Sequence, residues 1–76
     1  MKQRPSDVRE RFGDAVRAAR GGRGLTQEEL AERAKIHRTY LSDVERGSRN
    51  LSLMNIERLA ASLGLTMAEL FRRVGG

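Results

Sequence analysis

The chain has 76 residues, and at that length a single domain is expected. Lys and Arg number 15 against 10 Asp and Glu, for a net charge of +5, and there is no cysteine, which excludes a disulfide framework and a thiolate metal site. No apolar run is long enough for a transmembrane helix, and the opening Met-Lys-Gln-Arg-Pro lacks the apolar stretch of a signal peptide, so a cytoplasmic location is expected.

Residues 1–5 are polar and end at Pro5, and they are expected to be flexible. Ser6 is placed to cap a first helix, in which Val8, Phe12, Ala15, Val16 and Ala19 recur at helical spacing. Gly21, Gly22 and Gly24 are expected to stop it. Thr26 and Glu29 then form a capping box, which opens a second helix with Leu30, Ala31 and Ala34 inward. A short break at Lys35 and Ile36 follows. His37 is placed to cap a third helix with Leu41 and Val44 inward, ended by a left-handed Gly47. After a turn at residues 48–51, Ser52 caps a fourth helix with Ile56, Leu59, Ala60 and Leu63 inward and Gly64 as its stop. Thr66 and Glu69 make a second capping box for a fifth helix carrying Met67, Leu70, Phe71 and Val74. Gly75 and Gly76 are expected to fray. No segment alternates with period two, so the expected class is all-α, a compact five-helix bundle.

A domain of this size buries only about 60% of its unfolded surface, which leaves tight helix packing or self-association as sources of stability. A homodimer is therefore expected. The basic side is arginine apart from Lys2 and Lys35. Arginine forks bind phosphate and guanine in a planar, bidentate way, so an Arg-rich basic domain fits nucleic acid as partner.

The informative stretch is residues 26–47: two short helices joined by a tight turn, the helix-turn-helix arrangement whose second helix enters the DNA major groove. With Leu41 and Val44 inward, Thr39, Ser42, Asp43 and Arg46 fall on the opposite side of the third helix, with Arg38 at its leading end. Short hydrogen-bonding side chains between arginines suit a groove of donors and acceptors, although an ordinary solvated face has the same composition. Asp43 can accept from cytosine or orient a neighbouring arginine, but a carboxylate facing phosphate is a cost, and it is left outside the candidate site. Glu45 reads as structural, with an arginine of the second helix such as Arg33 as its partner. His37 is the only histidine and no ligands cluster around it, so no metal is expected. The Gly21-Gly22-Arg23-Gly24 run lacks the Lys-Ser/Thr ending of a phosphate-binding loop and reads as a linker, with Arg23 still able to touch a phosphate.

The run TQEELAERAKIHRTYLSDVERGSRNLSLMNIERLAASLGLTMAELF resembles the Cro/C1-type, or XRE-like, helix-turn-helix regulators. Its marks are Gln27 opening the second helix, Ala31 within it, and the Leu41-Ser-x-Val-Glu-x-Gly47 run. Within that family, HRTYLSDVERGSRNLSL is most similar to restriction–modification controller proteins, small dimers that bind palindromic operators and regulate their own genes. The resemblance implies a lambda-repressor-like fold with the helix-turn-helix at helices two and three. It implies base reading by Arg38, Thr39 and Ser42, and phosphate contact by Thr26, Gln27, Tyr40, Arg46, Arg49 and Asn50. It places the dimer contact on helix five, with Met67, Leu70, Phe71 and Val74, and on nearby parts of helix four, although that stripe could equally be internal core. One departure is Lys35, where the family's turn usually carries glycine because the position needs a positive φ.

The expected function is thus a sequence-specific, homodimeric transcriptional regulator, cytoplasmic and associated with the nucleoid. Its partners would be double-stranded DNA and a second copy, without cofactor or small-molecule ligand. The alternative is an antitoxin that neutralises a partner toxin and represses its own operon. An enzyme is disfavoured: no cysteine, one histidine and no carboxylate constellation are present, and a chain this small offers little room for a cleft.

Overall fold

This computed structural model describes residues 7–75, the first of which is Asp7. Its carboxylate accepts from the Arg9 backbone N–H at 2.7 Å and caps α1 (Val8–Gly22). The expected cap Ser6 lies outside the described residues. Phe12, Ala15, Val16 and Ala19 face inward as their spacing predicts, whereas Val8 is exposed. Val8 is the first residue of the helix. The helix ends within the glycine run, as expected, with Gly21 and Gly22 still helical. The chain turns at Arg23 and at Gly24, whose φ is 70°.

The two capping boxes form as predicted and open α2 (Gln27–Ala34) and α5 (Met67–Val74). Thr26 Oγ1 accepts from the Glu29 N–H at 3.0 Å, while Glu29 Oε1 accepts from the Thr26 N–H at 2.8 Å. Thr66 and Glu69 repeat the arrangement with the same distances. Lys35 ends α2 with φ 62° and ψ 43°, so the turn keeps its left-handed residue without glycine. The strain is about 1 kcal/mol. His37 occupies the N-cap position of α3 (Arg38–Glu45), but its side chain makes no capping bond. Ser52 caps α4 (Leu53–Ser62) by accepting from the Asn55 N–H at 3.1 Å.

Among the described residues there is no strand. Helix α1 packs on α3 and α5, α2 on α3 and α4, and α4 on α5, around one apolar cluster. Val16, Leu30, Leu41, Val44, Leu59, Leu63 and Leu70 are fully buried at its centre. Burial of each such side chain stabilises by roughly 1.5–3 kcal/mol. Two glycines set the distance between α1 and the end of α3. A Cβ on Gly13 would lie 2.4 Å from the Val44 carbonyl oxygen. A Cβ on Gly47, which has φ 80°, would lie 2.8 Å from Glu10 Cα. Only a bare backbone at both positions allows this approach.

The α5 stripe divides. Leu70 and Val74 belong to the protomer's own core, at 0% and 7% exposure. Phe71 is exposed and rests its ring 6.0 Å from that of Phe12. Met67 packs half-buried at the core's edge. Helix α5 lies against α1 and α4, and two of its four apolar positions are needed to close that side of the core.

Three capping carboxylates make stability depend on acidity. Hydrogen bonding to Arg9 lowers the Asp7 pKa from its ordinary 3.8 to about 2. The Thr26 and Thr66 backbone N–H groups hold Glu29 and Glu69 below the ordinary 4.5. Folded-state values below the unfolded ones mean stability that is complete above those ordinary values and lost as pH falls, for Asp7 through about 2. A melting temperature that drops on acidification through this window is expected. The drop should be shallower in an Asp7→Asn/Glu29→Gln/Glu69→Gln variant, and an unchanged slope would place the acid sensitivity elsewhere.

Candidate nucleic-acid interface

The position of α3 is fixed by one ion pair. Glu45, the last residue of α3, is only 4% exposed yet charged. Its Oε2 accepts from Arg20 Nε at 2.7 Å and its Oε1 from Arg20 NH2 at 3.0 Å, a two-point fork. Gln27 Nε2 donates to the same Oε1 at 3.0 Å. The third arm of Arg20 donates to the Leu25 carbonyl at 2.9 Å, and Arg17 donates to the Glu45 carbonyl at 3.1 Å. Helix α1, the α1–α2 turn, the start of α2 and the end of α3 are therefore joined at one carboxylate. Bonding to Glu45 raises the Arg20 pKa further above its ordinary value. The partner of Glu45 is thus Arg20 and not Arg33: α2 faces α3 with its buried side, and Arg33 is exposed on the other.

With α3 held this way, its outer face carries Arg38 and Thr39, both exposed, and Ser42, half-buried. Arg38 borders an open cleft of about 590 Å³ that is also lined by Leu25, Thr26, Gln27 and Glu28. The starts of α2 and α3 thus share one surface. Thr26 Oγ1 accepts from the capping box there, with its own hydrogen still able to donate. The Gln27 side chain turns inward to Glu45, which leaves its backbone N–H at the positive end of α2 for an anion.

The far end of α3 holds a second constellation. Arg46 NH1 donates to Ser42 Oγ at 2.8 Å, and Arg46 NH2 pairs with Asp43. Arg49 Nε and NH2 both lie 3.3 Å from Asp43 Oδ2. The Arg49 guanidinium sits over the Tyr40 ring, 5.0 Å from its centroid, a cation–π contact. Tyr40 Oη accepts from Asn55 Nδ2 at 3.2 Å, which pins the ring to α4. Asn50 is exposed in the turn that follows. The surface therefore gathers Ser42, Tyr40, Arg46 and Arg49 through Asp43 and Asn55, two residues outside the sequence-based site. Asn55 carries no periodic or motif signal. The signal for Asp43 was its spacing of three from Arg46.

Arg23 does not join this surface directly. Its guanidinium lies over Gly64, where a Cβ would sit 2.7 Å from NH1. Among the described residues no group of acidic, histidine or cysteine side chains is arranged to hold a metal. No helix is long and apolar enough to cross a membrane.

Residues 16–70 match the helix-turn-helix family HTH_3. The chain belongs to this family, as a regulator of the XRE-like, Cro/C1 type. It is similar to the control protein C.MunI of a Mycoplasma species, with 42% identity over 67 residues that cover 87% of this chain and 90% of that one. The restriction–modification controller protein C.AhdI from Aeromonas hydrophila superposes with a TM-score of 0.81 at 44% identity, covering 83% of this chain and 96% of that chain. The clp gene regulator ClgR from Corynebacterium glutamicum superposes with a TM-score of 0.93 at 32% identity, covering 99% and 96% respectively. These relatives are regulators and not enzymes, and so is this chain. Within the family, the Arg20–Glu45 fork is what seats the recognition helix of this member.

Removing one partner of a buried ion pair leaves the other charge uncompensated. Arg20→Ala should therefore destabilise by about 3 kcal/mol in urea unfolding. An Arg20→Met/Glu45→Met double variant should recover much of that loss. Two losses that simply add would show that the pair is not coupled.

Proposed function

We propose that the chain is a homodimeric, sequence-specific transcriptional regulator that binds a palindromic operator, in the manner of a restriction–modification controller, and regulates its own gene. Membership of the helix-turn-helix family supports DNA binding. The observation that carries the reading is Arg38 and Thr39, exposed at the start of α3 on the surface shared with the start of α2. In this reading Arg38, Thr39 and Ser42 read bases. Thr26, the Gln27 backbone, Tyr40, Arg46, Arg49 and Asn50 engage phosphates on either side. Phosphate contacts set register and base contacts specify sequence. The whole chain acts as one DNA-binding domain in the cytoplasm, and regulation needs no cofactor. Relatives named as control proteins and gene regulators favour this over an antitoxin.

The dimer surface proposed here differs in part from the sequence-based one. Leu70 and Val74 are internal, while Leu53 and Met54 at the start of α4 are 74% and 61% exposed. Together with Glu57, Ala61, Leu65 and Met67 they border two neighbouring hollows of about 340 Å³ each. Exposed apolar residues grouped on one face mark an interaction surface. This face and Phe71 are where a second copy would seat. A two-fold axis there would set two α3 helices about 34 Å apart, one turn of DNA.

The test is an anisotropy titration with duplex from immediately upstream of the chain's own gene, beside a scrambled duplex of equal length. Preference of about 10^3-fold or more is expected at physiological salt, with two chains per site. Equal weak binding to both duplexes would reject the autoregulatory reading. Arg38→Ala should lower specific affinity by about 1–3 kcal/mol and spare non-specific binding. Equal loss on both duplexes would remove Arg38 from base reading. Met54→Asp should yield monomers in sedimentation without unfolding, since the side chain is exposed, and a variant that stays dimeric would move the interface elsewhere.

A further inference from the structure

The surface assigned to DNA carries an acidic group at its centre. Asp43 is 19% exposed, and both its oxygens are engaged by arginine: Oδ1 by Arg46, and Oδ2 by Arg49 at 3.3 Å. Arg46 and Arg49 are themselves well exposed. One carboxylate therefore holds two exposed guanidinium groups at the edge of the DNA surface. Each arginine has further support, Arg46 from Ser42 Oγ at 2.8 Å and Arg49 from the face of Tyr40 at 5.0 Å.

A guanidinium has five N–H donors, so one that bonds Asp43 keeps others for phosphate. Its position is then set before DNA arrives, and little side-chain freedom remains to be lost on binding. That favours the one register in which phosphates fall opposite the remaining donors. In any other register the arginines must leave Asp43 to reach a phosphate. On random DNA phosphate attraction supplies nearly all of the binding, so the carboxylate opposes random binding most.

We propose that Asp43 is a specificity-determining positioning residue: an internal counter-anion that fixes Arg46 and Arg49 for the operator register and suppresses binding to DNA of other sequence. The proposal rests on the DNA-binding reading above and adds to it the source of selectivity against random sequence.

The experiment compares wild type, Asp43→Asn and Asp43→Glu on the upstream duplex and the scrambled duplex, across a salt series. Melting curves verify that each variant is folded. Asp43→Asn should bind the scrambled duplex about tenfold more tightly, two exposed ion pairs per chain having been removed. Its log–log salt slope on that duplex should steepen by about 0.9 per chain. Affinity for the upstream duplex should change by less than about threefold, so that the specificity ratio falls. Asp43→Glu, which keeps the charge, should restore most of the ratio. An equal rise on both duplexes would overturn the proposal, because Asp43 would then be bulk charge. So would an equal fall on both, or no change on either. Failure of wild type itself to prefer the upstream duplex would instead overturn the DNA reading on which the proposal stands.

Discussion

The fork between Arg20 and Glu45 decides where the recognition helix can sit. The core alone does not. Leu41 and Val44 bury one side of α3, but apolar contact is non-directional and would tolerate some sliding and rotation. A carboxylate that accepts two bonds from Arg20 and one from Gln27 tolerates much less. A buried ion pair is weak evidence for stability, because desolvation offsets much of its attraction. Its effect here is positional: α1, the start of α2 and the end of α3 meet at one group. Gly13 and Gly47 make the meeting possible by letting α1 approach the last turn of α3 at backbone distance.

That geometry separates two faces. The outer side of α3 and the start of α2 form the polar, arginine-bearing surface, with the relay from Asn55 through Tyr40 to Arg49 closing it toward α4. The start of α4 and the start of α5 form the apolar one, around Leu53, Met54 and Met67. The two faces share α4, whose Asn55 serves the first while its neighbour Met54 serves the second. A small domain can present both only because a few large leucines close its centre. Leu70 and Val74 are drawn inward for the same reason.

Most of the fold was legible in the sequence, because helix starts and stops are local chemistry. Thr26 with Glu29 and Thr66 with Glu69 are complete capping boxes within four residues, and both form. The positive φ expected at Lys35 is present for the reason glycine is usual there. The misses have physical causes. Val8 follows the apolar period but is the first residue of α1 and is exposed. Gly21 and Gly22 are weak helix formers, yet they stay helical where the Arg23 and Leu25 N–H groups bond back to the Ala19 and Arg20 carbonyls and close the last turn. The α5 stripe has one spacing for core and surface residues, so periodicity could not separate Leu70 from Phe71. Met54 falls off the inward period of α4, while Leu53, three before Ile56 and seven before Ala60, follows it and is nevertheless exposed in the first turn, so spacing marked neither as a surface residue. Arg20 and Glu45 are 25 residues apart, and no pattern within one helix could join them.

In the proposed mode of binding, the starts of α2 and α3, with the turn after α3, form the surface that meets DNA. Backbone amide shifts on titration with duplex DNA at low salt test it most directly, because even random sequence engages the phosphate-binding residues. The largest changes are expected at Thr26, Gln27, at residues 38–42 and at residues 46–50, with α5 nearly unchanged. Changes concentrated on α4 and α5, around Leu53, Met54 and Met67, would contradict it.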